Sequence, residues 1–297
     1  GQLKHFVDTE FKFAKGDLQY YAAAYPYTDF EYSYREDNRS IYEQVLNLSV
    51  TEKQTLFDKL NTSLLPENTF YTYKFIDRNC TTKVIDIVNE VLENKPIVKK
   101  NSDATTYREV LNPYTENHFY EQLGINVIFG QKTDRQATTL FLPLDLYHNL
   151  KKCRYKNKPL VSETNIIFEA NRTSPKSYLD SIYSLIAILF LFVIANKKVT
   201  NCLYFSVLGG IGSLFLFMSV YSFHQELYWN YNILVLNPLF LLLVFFIIKN
   251  NTTWIKRVSL LCLLFLGIYT LFVVGKIYFW SVLPIIMATS IILFRLA

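Results

Sequence analysis

Tyr231-Asn-Ile-Leu-Val-Leu-Asn-Pro-Leu-Phe-Leu-Leu-Leu-Val-Phe-Phe-Ile-Ile248 carries no charge over 18 residues and is followed at once by Lys249. A run of this length and composition is close to the roughly 20 residues that an α-helix needs to cross a bilayer. It is not alone. Comparable apolar runs occupy Tyr178–Ala195, Cys202–Phe223, Val258–Val274 and Tyr278–Phe294, so the spacing predicts five transmembrane helices in residues 176–297.

Charge divides the chain at the same place. Of 30 basic and 25 acidic residues, seven basic and two acidic (Asp180 and Glu226) lie from Ser177 onward, leaving 23 of each before it. Residues 1–176 are therefore neutral, and the formal +5 belongs to the apolar part. No basic stripe with interleaved aromatics stands apart from the apolar runs, which argues against a nucleic-acid partner. Lys197 and Lys198 follow the first run, and Lys249, Lys256 and Arg257 follow the third, whereas the loop after the second has no Lys or Arg. The positive-inside rule then puts the C-terminus in the cytoplasm and residues 1–175 on the far side. A translocated domain implies a signal segment upstream of Gly1-Gln2-Leu3, so the chain reads as a mature fragment.

The loop Ser222-Phe-His-Gln-Glu-Leu-Tyr-Trp-Asn230 collects polar groups beside the bilayer. Two readings are open. Tyr228, Trp229 and Tyr231 suit an interfacial belt, while His224, Asn230 and Asn232 could face a substrate, since polar groups at membrane depth are costly and usually functional.

Residues 1–175 read as α+β. Ser40–Leu48 alternates as a strand does. Ser49-Val-Thr-Glu52 is a capping box opening a helix with Leu56, Phe57, Leu60 and Leu64 on one face. Thr69–Phe75 alternates again. Val84, Ile87, Val88 and Val91 then recur at helical spacing, so Cys80 stands where a strand ends and an amphipathic helix begins. Unpaired backbone N–H groups and the positive end of the dipole favour a thiolate there, and Arg78 acts in the same sense. A cysteine packing the strand–helix corner is the competing reading. Further on, Asn112–Tyr120 suggests a short helix, Gly124–Gly130 a buried strand, and Phe141–Leu146 a segment docking on it. His118 suits substrate orientation or simple packing, and His5 and His148 lack context. The cysteines (Cys80, Cys153, Cys202, Cys262) are too scattered for a disulfide framework or a zinc site. Neither a metal nor a cofactor is expected.

Asn38-Arg-Ser-Ile-Tyr-Glu-Gln-Val-Leu-Asn-Leu48, Leu65-Pro-Glu-Asn68, Tyr73-Lys-Phe-Ile-Asp-Arg-Asn-Cys-Thr-Thr82, Gly124-Ile-Asn126 through Gly130 and Asn230-Tyr-Asn-Ile-Leu-Val-Leu-Asn-Pro238 stand in this order. Together they resemble the Lnb family of bacterial lipoprotein N-acyltransferases, over nearly the whole chain. The resemblance implies a periplasmic domain similar to a circularly permuted papain/NlpC-type thiol enzyme, then five membrane helices in the bacterial inner membrane. It implies Cys80 as nucleophile, with the N–H groups of Cys80 and Thr81 as oxyanion donors at the helix N-terminus that follows Asn79, and a phospholipid and a diacylglyceryl lipoprotein as partners. The family's histidine lies in a Phe-Gly-His-type segment that this sequence lacks, so the role passes to no residue here. A cysteine hydrolase and a non-catalytic membrane-anchored module are the alternative readings.

Overall fold

The computed structural model describes residues 2–99, 105–171 and 175–297, with side chains from Thr9 onward. Twelve α-helices and six strands appear among them. In chain order these are α1 (Gln2–Lys15), β1 (Gln19–Tyr21), α2 (Tyr27–Glu36), β2 (Ile41–Leu46), α3 (Val50–Ser63), β3 (Phe70–Thr72), α4 (Cys80–Val91), α5 (Tyr107–Leu111), α6 (Phe119–Ile128) and α7 (Pro143–Leu150). They continue with β4 (Arg154–Tyr155), β5 (Lys158–Pro159), β6 (Val161–Phe168), α8 (Ile182–Ala195), α9 (Lys198–Tyr221), α10 (Leu239–Ile248), α11 (Thr252–Val273) and α12 (Phe279–Leu296). The chain forms two compact units, Gly1–Thr105 with Gln136–Thr173, and Thr106–Arg135 with Ser174–Ala297.

The first unit is a small α+β fold. β1 pairs antiparallel with β3 from Gln19–Thr72 to Tyr21–Phe70, and β2 pairs antiparallel with β6 from Ile41–Phe168 to Leu46–Val161. A short hairpin joins β4 to β5. The core is Val88 and Leu92 from the end of α4, Ile97, Leu140, Cys153, Tyr155 and Leu160, with Leu46, Leu56 and Ile85 packed against it. Ser49 and Glu52 cap α3 reciprocally, as expected. The face expected to bury Phe57, Leu60 and Leu64 does not: only Leu56 reaches the core, and those three stay exposed.

The second unit is helical. Four stretches, Lys198–Tyr221, Gln225–Ile248, Thr252–Val273 and Phe279–Leu296, are long and apolar enough to cross a membrane, and α8 is a shorter apolar helix. The five spans expected are all present, but two differ in form. The first becomes helical only at Ile182, because the Ser177 hydroxyl accepts from the N–H groups of Leu179 and Asp180 and holds a turn. The third runs as a 3-10 turn over Tyr231–Leu234 and regains regular helix only at Leu239. Pro238 has no N–H to donate, and Asn237 Oδ1 caps the new helix by accepting from Leu239 N at 3.0 Å. Irregular backbone survives at membrane depth when protein buries it. Val235, Leu236 and Asn237 are indeed buried. Close packing of α9 depends on Gly212, where any Cβ would collide with the Leu236 carbonyl.

Thr106–Arg135 lies far upstream of the apolar runs, within residues 1–175. It packs as part of the helical unit. Its Gly124–Gly130 stretch is not the strand that its glycine ends suggested. Residues 124–128 are the second half of α6, with Leu123, Asn126 and Val127 buried at helical spacing, and Phe129 and Gly130 follow its end. Leu123 and Val127 join the same core as Phe240, Leu266, Tyr269 and Ile292.

Candidate functional site

In the first unit the chain turns back after β3 through a bridge in which Lys74 and Arg78 exchange backbone hydrogen bonds (2.9 and 3.2 Å). Ile76, at the tip of that turn, is fully buried and anchors it. Asn79 then caps α4. Its Oδ1 accepts from Thr82 N at 3.0 Å, and its own N–H donates to Thr82 Oγ1 at 2.9 Å. Its Nδ2 donates to the carbonyls of Phe75 (2.8 Å) and Phe141 (2.7 Å). Every hydrogen-bonding group of this buried side chain is thus engaged. Asn79 fixes where α4 begins, and its own N–H is taken up by Thr82 Oγ1.

Cys80 is the first residue of α4 and is exposed. The N–H groups of Cys80 and Thr81 open the helix and have no acceptor within it. Next to the thiol stands Tyr71 of β3. Burial first, then the charge of an ionised Cys80 and the neighbouring Tyr20, raise the Tyr71 hydroxyl above its ordinary pKa, while Arg78 lowers it. Two cations approach that phenol ring, Arg78 at 5.8 Å and Lys83 at 5.7 Å from its centroid. Tyr71 and Lys83 were not anticipated from sequence. His148 lies on α7 against Tyr147, with ring centroids 5.2 Å apart. The side chain of His5 lies outside the described residues.

The helical unit holds a second polar centre. Arg108, 2% exposed, donates from Nε to Asp134 Oδ1 (2.8 Å), from Nη1 to Asn126 O (2.7 Å) and from Nη2 to Thr133 Oγ1 (2.9 Å) and Phe129 O (3.2 Å). Asp134 Oδ2 accepts from Tyr231 OH and pairs with Lys276 at 3.0 Å. Burial alone would raise the Asp134 carboxyl, but the Arg108 charge and hydrogen bonds from Tyr231, Arg108 and Lys276 outweigh it and hold the pKa below the usual value. Arg108 and Asp134 were missed because one sits in a five-residue helix and the other in a 3-10 turn, where no periodicity marks them.

Asn230 and Asn232 are both buried, and their side chains are held by the end of α6. Asn230 Nδ2 donates to the carbonyls of Val127 (3.0 Å) and Ile128 (2.9 Å), and Asn232 Nδ2 to those of Asn126 (3.3 Å) and Phe129 (3.2 Å). Together they satisfy the carbonyls that the end of α6 leaves without intrahelical donors. Asn232 Oδ1 in turn accepts from Tyr269 and Tyr278, both at 3.0 Å. His224 is also buried, with Nδ1 3.4 Å from Glu226 Oε1. Glu226 is 1% exposed, and neither carboxylate oxygen accepts a hydrogen bond among the described residues. His118 is exposed, with Nδ1 3.5 Å from Asp180 Oδ2. Among the described residues no group of three or more His, Cys, Asp or Glu side chains is placed to hold a metal ion.

Comparison with known proteins bears on both units. The Lnb N-terminal periplasmic domain matches residues 5–113, and the Lnb transmembrane domain matches residues 169–296. No curated protein and no solved structure matches the chain. The two matches cover the thiol corner and all five apolar helices in the family's own order, and the chain belongs to the Lnb family as a multi-pass membrane protein with an N-terminal α+β domain.

Proposed function

We propose that this protein is a lipoprotein N-acyltransferase with Cys80 as its nucleophile. The observation that carries the reading is the exposed thiol at the first position of α4, beside two N–H groups with no intrahelical acceptor, in a chain of this family. The Sγ thiolate attacks an acyl ester of a membrane phospholipid. A thioester C–S bond forms, the ester C–O bond breaks, and the departing alkoxide takes a proton to become a lysophospholipid. The α-amine of a diacylglyceryl-cysteine lipoprotein then attacks the thioester. An amide C–N bond forms, the C–S bond breaks and the thiol is regenerated. Dividing the transfer into two steps suits a thioester, which retains enough reactivity to acylate an amine. The N–H groups of Cys80 and Thr81 are the donors for the oxyanion in both steps. Asn79 and Arg78 have a positioning and an electrostatic role.

The same reading places the protein in the bacterial inner membrane, the α+β domain in the periplasm and the C-terminus in the cytoplasm, on the distribution of Lys and Arg between the loops. The test is incubation of the full-length protein with radiolabelled phospholipid and a diacyl lipoprotein. The expected result is labelled lipoprotein amide that falls to background in Cys80→Ala, with a labelled thioester trapped on the native protein. Free fatty acid without lipoprotein amide would make the protein a cysteine hydrolase instead. Full transfer by Cys80→Ala would remove Cys80 from the chemistry.

A further inference from the structure

The start of α6 and the residues leading into α8 enclose an open cleft of about 520 Å³ within the helical unit. Its floor is organised around Asp180. The N–H of Tyr120 donates to Asp180 Oδ1 at 2.9 Å, and His118 Nδ1 lies 3.5 Å from Oδ2. The Tyr120 hydroxyl and Ser184 Oγ are hydrogen-bonded at 2.7 Å, tying the same turn of α6 to the first turn of α8. Fixed in this way, the wall presents groups of both signs. Lys176 and His118 offer donors, and Glu116 and Asp180 offer acceptors.

The surroundings are apolar. Tyr178 and Tyr183 line the cleft and are 86% and 71% exposed, and Leu179 beside them is 82% exposed. They stand at the end of an apolar helix, where amphipathic rings mark the level of lipid headgroups. A ligand matched to this wall carries an anion and a cation on one short polar head and continues into an apolar tail.

We propose that this cleft binds the headgroup of a zwitterionic aminophospholipid, with the phosphodiester against Lys176 and His118 and the ammonium against Glu116. An anionic headgroup without an amine would bring its phosphate to the same wall and offer no cation to Glu116. That difference favours the zwitterion. The assignment adds a binding site to the helical unit and stands whether or not Cys80 transfers an acyl chain.

The test is native mass spectrometry of the delipidated full chain in detergent, with phosphatidylethanolamine or phosphatidylglycerol of the same acyl chains added back. Glycerophosphoethanolamine and inorganic phosphate serve as soluble controls. Phosphatidylethanolamine is expected to be retained over phosphatidylglycerol, and Lys176→Gln to reduce its retention by about fivefold, the upper range for one exposed charge pair. Glu116→Gln is expected to abolish the preference between the two lipids. Lys176 and Glu116 are both exposed, so neither change disturbs the core, and unchanged thermal unfolding of the variants checks this. Equal retention of the two lipids by the native chain would overturn the proposal. So would undiminished phosphatidylethanolamine binding by Lys176→Gln, or soluble glycerophosphoethanolamine binding as tightly as the lipid.

Discussion

Cys80 differs from the other cysteines in one respect that chemistry can read directly. It is exposed, whereas Cys153 and Cys262 are buried and Cys202 is partly covered on an apolar helix. Brief treatment of the folded protein with iodoacetamide is therefore expected to label Cys80 first, and all four only after denaturation. Peptide mapping by mass spectrometry reads the order, and labelling of Cys153 before Cys80 would contradict the corner described above. Glu52 makes a second prediction at this scale. Hydrogen bonds from the Tyr155 hydroxyl, from Lys156 and from Ser49 lower its pKa from 4.5 to about 2. A carboxyl held below its unfolded value stabilises the fold above about pH 4.5 and loses that contribution as pH falls toward 2. Glu52→Gln is expected to flatten thermal stability across that window, most visibly in the unfolding of the α+β unit. The position of Cys80 was legible from sequence because an Asn cap, a cysteine and a helical period are adjacent in the chain. Its neighbours Tyr71 and Lys83 were not, since nothing local specifies how a strand lies across the helix that follows it.

At the scale of elements, the capping box before α3 and the strand over Ile41–Leu46 emerged where local patterns placed them. Such patterns need no distant partner. α6 was misread as a strand because a short apolar run bounded by glycines fits a buried strand and a buried helix equally. What decided it was the bundle, which takes Leu123 and Val127 on one face. Gly130, just past that helix, lies against the Tyr228 carbonyl, where a Cβ would collide with backbone. Gly130→Ala is therefore expected to destabilise the helical unit, by about 1–3 kcal/mol for an overpacked site, and Gly212→Ala to do the same against Leu236. By contrast Gly124→Ala, with open space around its Cβ, is expected to be tolerated. Thermal unfolding in detergent compares all three. Asn232→Ala strips two donors from the α6 carbonyls and an acceptor from Tyr269 and Tyr278. It is expected to lower stability well beyond the effect of a surface substitution, because buried polar partners are left unsatisfied.

For the whole molecule the consequential feature is that Thr106–Arg135 belongs to the helical unit. Arg108 ties this segment together through its ion pair with Asp134 and two carbonyl contacts, while Asp134 links onward to Tyr231 and Lys276 and the Arg108 guanidinium lies over the Tyr278 ring. Removing one member of a buried pair costs about 3–5 kcal/mol, since the other charge is left without compensation. Arg108→Met is expected to show this as a lower midpoint of unfolding and as new proteolytic cleavage between residues 106 and 135. Arg108→Met with Asp134→Leu should recover part of the loss, and no recovery would mean that the pair is not the coupling element. Sequence alone determined the membrane part, the α+β character of what precedes it, the family and the placement of Cys80 at a helix start. Each of these rests on composition, on local periodicity or on motifs contiguous in the chain. Tertiary structure alone decided that Asn230 and Asn232 close the end of α6, that the third span enters as a 3-10 turn, and that residues 106–135 join the helices. Those outcomes depend on which buried donors meet which unpaired carbonyls across a hundred residues of chain, and no local pattern encodes such a meeting.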